Sequence, residues 1–366
     1  MTSETWTPKK WGSGRKNVMS KETKYLSASR IKTLENCSQL YWVKYGLGLP
    51  DKSNSGALRG TLCHNIFECL LNPRHKKHFS AIKNGGNIRK SKVVDKYVLS
   101  YLKRVKIETY GKETFQENYD LVDKMIVVGL KNEFFGGENA LIEEPEVGFE
   151  IQNEEPRYNI KGFIDKPIQY KEKGEVTIVD YKSSKAKFRG EELHSNIQAM
   201  MYSLASRKLW PDLEPSVEFL FLRFPRQPIQ KLKFTKDQLD GFEYYLEQAN
   251  RVIESFDETS AATNYAADTR KNSWLCAAGA TWVCPYRDPF VYYSLTDEND
   301  KQIKSSFNND FGEEDQELGT VKKKTYSGCP RFHNKNIAAT NIKQDPIVSS
   351  TKLKKDNTLD DLDSFK

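Results

Sequence analysis

Residues 162–184 read GFIDKPIQYKEKGEVTIVDYKSS, with one aspartate closing a strand-like run and an Asp-x-Lys closing the next. Ile160, Gly162 and Ile164 alternate with polar or differently facing neighbours, and Val176, Ile178 and Val179 form a short β-branched run. Both stretches therefore predict strands. The KEKG between them, centred on Gly174, is a turn signal and predicts a hairpin. Such a hairpin sets the strand ends, and with them Asp165 and Asp180, side by side. Lys182 lies two residues beyond Asp180 and so shares its face. Two carboxylates and an ammonium at a sheet edge suit a hard divalent cation with an activated water beside it. A solvated hairpin with ordinary surface charges would read the same, because Asp-x-Lys is a common tripeptide.

The flanking segments narrow that choice. Downstream, Leu193, Ile197, Met200, Met201 and Leu204 recur at helical spacing and predict an amphipathic helix from about Glu191 to Lys208. Gln198 and Tyr202 lie one turn apart on it, off the apolar stripe. Upstream, Leu58, Leu62, Ile66, Phe67 and Leu70 mark another helix, with His64 and Glu68 four apart. A single histidine on such a helix is more often a core or surface residue than a ligand. The order carries more weight than any one match.

The four motifs in that order are RGTLCHNIFE (His64), GFIDKP (Asp165), IVDYKSS (Asp180 and Lys182) and NIQAMMYSLA (Gln198 and Tyr202). The set resembles the PD-(D/E)XK nuclease superfamily, and within it the RecB-type branch that includes phage and bacterial recombination exonucleases and CRISPR-adaptation exonucleases. The resemblance spans roughly residues 25–335. It implies an α/β chain with an α+β-like restriction-endonuclease core: a central mixed sheet flanked by helices, with helical and cysteine-bearing elaborations at both ends. Within that span it implies an N-terminal helical part (25–140), a catalytic β core with helices (141–260) and a C-terminal cysteine region (261–335). One family carboxylate precedes the core hairpin. EPEVGFEIQ offers Glu146 and Glu150 for it, and Glu150 is the favoured position.

The resemblance also implies a chemistry. Phosphodiester hydrolysis needs a water deprotonated near neutral pH and neutralised charge on the phosphoryl oxygens and leaving alkoxide. Asp165 and Asp180 would hold Mg²⁺ or Mn²⁺ with the backbone carbonyl of Tyr181. His64 would complete the ligand set, its nitrogen tilting the site towards Mn²⁺. Lys182 would orient or help deprotonate the attacking water, while Gln198 and Tyr202 would position strand or site. Ser183 and Ser184 are phosphate contacts or plain loop polars.

Six cysteines are present, at 37, 63, 69, 276, 284 and 329. The first 25 residues are polar and basic without an apolar core, so disulfides are not expected. Cys63 and Cys69 flank His64 and read as small apolar residues. Cys37, Cys276, Cys284 and Cys329, one early and three late, resemble the thiolate staple of several RecB-type nucleases, which implies a [4Fe–4S] cluster. The family's late cysteines are usually clustered, whereas a polar insertion from about Tyr293 to Lys324 separates Cys284 from Cys329 here. A zinc site, with His333 as a further candidate, or liganding of no metal at all, remains open. The insertion itself reads as an extended loop or hairpin.

The chain has 366 residues and a net charge of +7, with a pI near 8.8. That length supports a substantial core, as one elaborated domain. The basic balance suits a polyanion such as DNA, single- or double-stranded, though a merely basic protein would share it. Residues 1–24 predict a flexible basic arm, about Ser27 to Gly46 a helical region, and RHKKHFSAIKNGGNIRKSK a cationic loop with solvated His75 and His78. Helical segments follow over about Ser91 to Phe135. FLFLRF (Phe219 to Phe224) predicts a strand ended by Pro225, and Thr235 with Gln238 a capping box opening a long helix.

Residues 336–366 have the composition of a disordered tail. Its tip, LDDLDSFK, is either solubilising or a docking element for a replication or recombination protein. No membrane-spanning run is present, and a bacterial or phage-infected cytoplasm is the expected setting. The resulting expectation is a metal-dependent DNA exonuclease acting in recombination, repair or replication. A structure-directed endonuclease on the same fold and a non-catalytic DNA-end-binding protein are the alternatives.

Overall fold

The computed structural model describes residues 24–51, 55–105, 107–110, 112–142, 144–261, 276 and 284–333. The expected basic arm, apart from Lys24, and the expected tail with its acidic tip lie outside the described residues. The chain divides into two compact units. The larger contains Tyr25–Glu35 and Lys52–Phe256, and the smaller contains Asn36–Asp51 and the described residues from Asp257 onward. Among the described residues no helix is long and apolar enough to cross a membrane.

In chain order, α1 (Ala28–Asn36) is followed by α2 (Ser38–Tyr41) and a π turn, Trp42–Gly46. The helical region expected over Ser27 to Gly46 is therefore interrupted. Cys37 stands at the break with extended backbone, φ −164° and ψ 116°. Next comes α3 (Ser55–Leu71), which buries Leu58, Leu62, Ile66, Phe67 and Leu70.

The stretch expected as a cationic loop is instead α4 (Lys76–Gly85), ended by Gly86 in the left-handed region at φ +69°. Phe79 and Ile82, three apart, pack into the core and leave the lysines outside. His75 is buried rather than solvated, and His78 Nδ1 lies 2.9 Å from Ser91 Oγ. Ser91 caps α5 (Lys92–Arg104). A Thr114–Glu117 capping box opens α6 (Phe115–Lys131), satisfying two otherwise orphaned amides.

β1 (Val147–Glu154) and β2 (Arg157–Ile164) form an antiparallel pair. Asp165 makes the bend into β3 (Lys166–Tyr170), which pairs antiparallel with β4 (Glu175–Lys182) across a turn closed by Gly174 at φ +62°. The turn at Gly174 and the strand after it are as expected, but the first arm of the hairpin is Lys166–Tyr170, with Lys166 opposite Val179. The run Ile160–Ile164 expected there belongs to β2 and pairs with β1. α7 runs Ile197–Leu209. It starts later than Glu191 because Gly190–Leu193 forms a 3₁₀ turn and Asn196 then caps the helix. β5 (Glu214–Phe221) lies parallel to β4, and β6 (Ile229–Leu232) antiparallel to β5. The strand expected to reach Phe224 ends at Phe221.

The outcome is a mixed four-stranded sheet ordered β3-β4-β5-β6 and flanked by helices, the α/β core of a restriction-endonuclease-like fold. Val176 to Tyr181 of central β4 are all buried, which is why that run is nearly continuously apolar. α8 (Lys236–Glu254) opens with the Thr235–Gln238 capping box.

The smaller unit adds α9 (Glu258–Ala261) and a three-stranded antiparallel sheet, β7 (Phe290–Thr296), β8 (Gln302–Ser306) and β9 (Thr320–Tyr326), ordered β8-β7-β9. The polar insertion is therefore largely sheet. It is tied to the segment after the π turn: Gln302 Nε2 donates to the carbonyls of Leu47 and Gly48, and Ser305 Oγ to that of Gly48 at 2.6 Å. Val43, Leu49, Tyr286, Tyr292 and Tyr326 form its core.

Candidate active site

Three elements of the larger unit converge: α3, the bend at Asp165 with the end of β4, and the start of α7. Asp180 is almost wholly buried, at 2 % exposure. Its Oδ1 accepts hydrogen bonds from Gln198 Nε2 at 2.9 Å and Tyr202 OH at 3.0 Å. Lys182 Nζ lies 2.8 Å from Oδ2, and that buried oxygen has no other partner among the described residues. The distance makes this an ion pair, and Lys182 is the group that faces Oδ2. Burial raises the Asp180 pKa, aided by Asp165, while Lys182 and His64 oppose the rise.

Lys182 Nζ also donates to Gln198 Oε1 at 2.7 Å. Gln198 Nε2 reaches Tyr202 OH at 2.8 Å as well. The i, i+4 pair on α7 thus clamps one oxygen of Asp180 and the ammonium of Lys182 together.

Asp165 Oδ2 accepts from the Tyr181 amide at 2.9 Å. His64 bridges from α3, with Nδ1 3.3 Å from Asp165 Oδ1 and Nε2 3.0 Å from the Tyr181 carbonyl. Burial alone would lower the His64 pKa. The bond to Asp165, the charges of Asp165 and Asp180 and the Tyr181 carbonyl outweigh it and raise the value to about 9. A protonated imidazole therefore sits between the carboxylate and the carbonyl, where negative potential is concentrated. His64, Asp165, Asp180, Tyr181, Lys182, Gln198 and Tyr202 are all brought together.

Glu150 is not brought to this cluster. It is exposed on β1, opposite Lys161. Glu146, four residues earlier, is at the site instead. Its amide donates to the Asp165 carbonyl at 2.9 Å, and its backbone takes a left-handed φ of +55°. Although Glu146 is exposed at the rim, partial desolvation, the charge of Glu68 and a hydrogen bond with Glu68 raise its pKa. Glu68 was visible one turn beyond His64, but nothing in the sequence marked it as Glu146's partner. Ser183 Oγ lies 3.4 Å from the Gly56 carbonyl, and Ser184 Oγ bonds the Ala186 carbonyl at 2.8 Å.

In the smaller unit, Cys37, Cys276, Cys284 and Cys329 line one cavity, with Arg287 and Arg331 beside them. Burial raises Cys284 and Cys329 to about 11, and the thiols add to each other's shift. Backbone amides of Tyr286, and of Arg331 and Phe332, bond the thiols of Cys284 and Cys329 and oppose that rise. The two Cys-Pro turns fold alike: Arg287 N–H reaches the Cys284 carbonyl at 3.0 Å, and Phe332 N–H the Cys329 carbonyl at 2.9 Å. His333 Nε2 lies 3.2 Å from Asp288 Oδ1. Cys63 is fully buried and Cys69 half-buried on α3. Among the described residues, no three His, Cys, Asp or Glu side chains are closed into a metal-ligand group at either place. At the larger unit's site His64 and Lys182 are themselves the cations that face the carboxylates.

The chain matches the PD-(D/E)XK nuclease superfamily over residues 25–288 and belongs to it. No curated protein matches it in sequence. A solved structure from Eubacterium rectale, provisionally described as an exonuclease, aligns with a TM-score of 0.44 and 13 % identity. That alignment covers 72 % of this chain and 93 % of the other.

Proposed function

We propose that this protein is a metal-dependent nuclease of the RecB-type branch, hydrolysing DNA phosphodiester bonds from strand ends. The observation that carries the reading is the single chain of contacts joining His64, Asp165, Asp180 and Lys182 at the end of a buried strand. Two carboxylates, a backbone carbonyl and an imidazole form a donor set for Mg²⁺ or Mn²⁺. The buried Asp180 Oδ2, which Lys182 alone faces, would turn to a bound cation when Lys182 moves to the water or phosphate. When bound, the ion would acidify a water and draw charge from the phosphoryl oxygens.

Asp165, Asp180 and the Tyr181 carbonyl would hold that ion. His64 would join them after giving up the proton its present partners favour. Gln198 and Tyr202 fix Asp180 through Oδ1 and so keep Oδ2 directed inward. Lys182, held by Gln198, offers its remaining protons to the attacking water or the scissile phosphate and counters charge built up in the transition state. Glu146, rather than Glu150, supplies the further carboxylate. Action from strand ends rests on the resemblance of the four motifs to RecB-type exonucleases.

The four thiols of the smaller unit are proposed to hold a [4Fe–4S] cluster. Four soft donors around one cavity, with backbone amides directed at two of the sulfurs, support this. Amide-to-sulfur bonds stabilise thiolates and tune such centres.

The deciding experiment digests end-labelled linear, nicked and covalently closed DNA with Mg²⁺ or Mn²⁺, comparing the intact protein with Asp180→Asn. Loss of linear DNA alone, abolished by a chelator and by the substitution, is the expected result. Cleavage of closed circles would make the protein an endonuclease. Undiminished turnover by Asp180→Asn would remove the site assignment.

A further inference from the structure

The charge of this chain is unevenly spread. Residues 74–104 contain ten lysines and arginines and one acid, Asp95, a net +9 against +7 for the whole protein. The remainder is therefore slightly acidic. All ten cations are exposed, Arg74 on the Pro73–His75 turn and nine on α4, the Ile88–Lys90 turn and α5. Asp95 is half-buried and accepts a hydrogen bond from Tyr119 OH. Lys76, Lys77, Lys90, Lys92 and Lys103 have no carboxylate partner among the described residues. So dense a cationic field opposes folding through self-repulsion and is relieved by a polyanion.

We infer that the outer face of α4 and α5 binds the sugar-phosphate backbone of duplex DNA, apart from the residues at which hydrolysis is proposed. Lys92, Lys96 and Lys103 fall on one stripe of α5, about 16 Å long at 1.5 Å per residue. Duplex DNA presents one negative charge per about 1.7 Å of axis, so such a stripe meets several phosphates. Exposed aromatic rings, the stacking platforms single strands require, are missing from the face. The large apolar side chain exposed there is Val93, while Tyr97 and Tyr101 are half-buried. The surface is anchored to the catalytic helix, since Asn65, adjacent to His64, donates to Tyr97 OH at 3.3 Å.

This inference takes its nucleic-acid partner from the nuclease reading, but its test needs no hydrolysis. Binding of a fluorescent blunt duplex is measured with a chelator present, over a series of salt concentrations. The intact protein is compared with Lys76→Gln, Lys77→Gln, Lys92→Gln and Lys103→Gln combined, and with Lys→Arg at the same four positions. The glutamine variant should lose at least about tenfold in affinity. Its slope of log affinity against log salt should fall by up to about 3.6, near 0.9 for each of the four phosphate contacts. The arginine variant should bind like the parent, which separates charge from folding.

Equal affinity and slope in the glutamine and parent proteins would overturn the inference. So would tighter binding of a single strand with the same number of phosphates, or of polyglutamate of matched charge. An inactive enzyme that still binds duplex through these lysines would sink the nuclease reading and leave this one standing.

Discussion

The side-chain oxygen of Gln198 accepts a hydrogen bond from Lys182 Nζ at 2.7 Å, while the nitrogen of the same amide donates to Asp180 at 2.9 Å. One neutral residue thus sets the spacing between the cationic and anionic groups of the site. Its oxygen and nitrogen match the opposite charges they face, so neither end is wasted in a buried setting.

Gln198→Leu should therefore lower kcat by roughly 10²-fold, the scale expected when a reacting group is misplaced by about 1 Å. KM should change little, because Gln198 meets Lys182, Asp180 and Tyr202 rather than the outer surface. Steady-state kinetics on a short labelled duplex would separate the two parameters. A shift confined to KM would assign Gln198 to strand binding instead.

Glu146 and Glu150 make a matched pair for testing. Glu146→Gln disturbs the bond to Glu68 beside Asp165 and should reduce cleavage by an order of magnitude or more, about 1.4 kcal/mol of barrier. Glu150→Gln alters an exposed side chain on β1 and should leave cleavage within about twofold. The reverse ranking would return the family carboxylate to Glu150.

Lys166 gives a stability prediction with a defined sign. It is 1 % exposed, donates to the Phe134 carbonyl at 3.1 Å and lies over the rings of Phe134 and Tyr181. Burial lowers its pKa to about 8, although Glu218, Asp165 and Glu133 oppose the shift. Below pH 8 the ammonium is charged in both the folded and unfolded states, and the burial penalty is fully present. Between about 8 and 10.5 the folded protein releases its proton first, so stability rises with pH, by ~3 kcal/mol across the window. Lys166→Met lacks that rise. Its stability relative to the parent should be greatest near pH 7 and decline by pH 10 in urea unfolding. Parallel pH profiles would refute the assignment.

Protein prepared without oxygen should contain iron and acid-labile sulfide in similar amounts, and Cys329→Ser should lose both along with thermal stability. Stoichiometric zinc without sulfide would replace the cluster with a zinc site. A metal-free, equally stable protein would leave the four cysteines as core residues.

The turn at Gly174 with the strand after it, the cap at Thr235 and the helix bearing His64 were legible because each depends on local periodicity or turn chemistry. α4 was not. Its charges outnumber its two core residues, Phe79 and Ile82, and concealed a helical face that only packing reveals. Glu146 was offered beside Glu150 but ranked below it for a different reason: it precedes β1 with a left-handed backbone, outside the two-residue alternation by which strand positions are judged. The insertion after Cys284 read as an extended loop or hairpin because β8 and β9 are short and polar, and the third strand, β9, pairs with β7 from some thirty residues away.

The order and identity of the residues alone determined which groups are available, since a carboxylate, an imidazole and an amide declare their chemistry wherever they stand. It also determined the turn at Gly174 and the strand after it, which need only their neighbours, whereas packing decided that Lys166–Tyr170 rather than Ile160–Ile164 pairs with that strand. Tertiary structure decided which carboxylate joins Asp165, which oxygen of Asp180 faces Lys182 and whether distant thiols share a cavity. These outcomes depend on burial and on contacts across more than a hundred residues, where desolvation and direction, rather than spacing along the chain, set the energy.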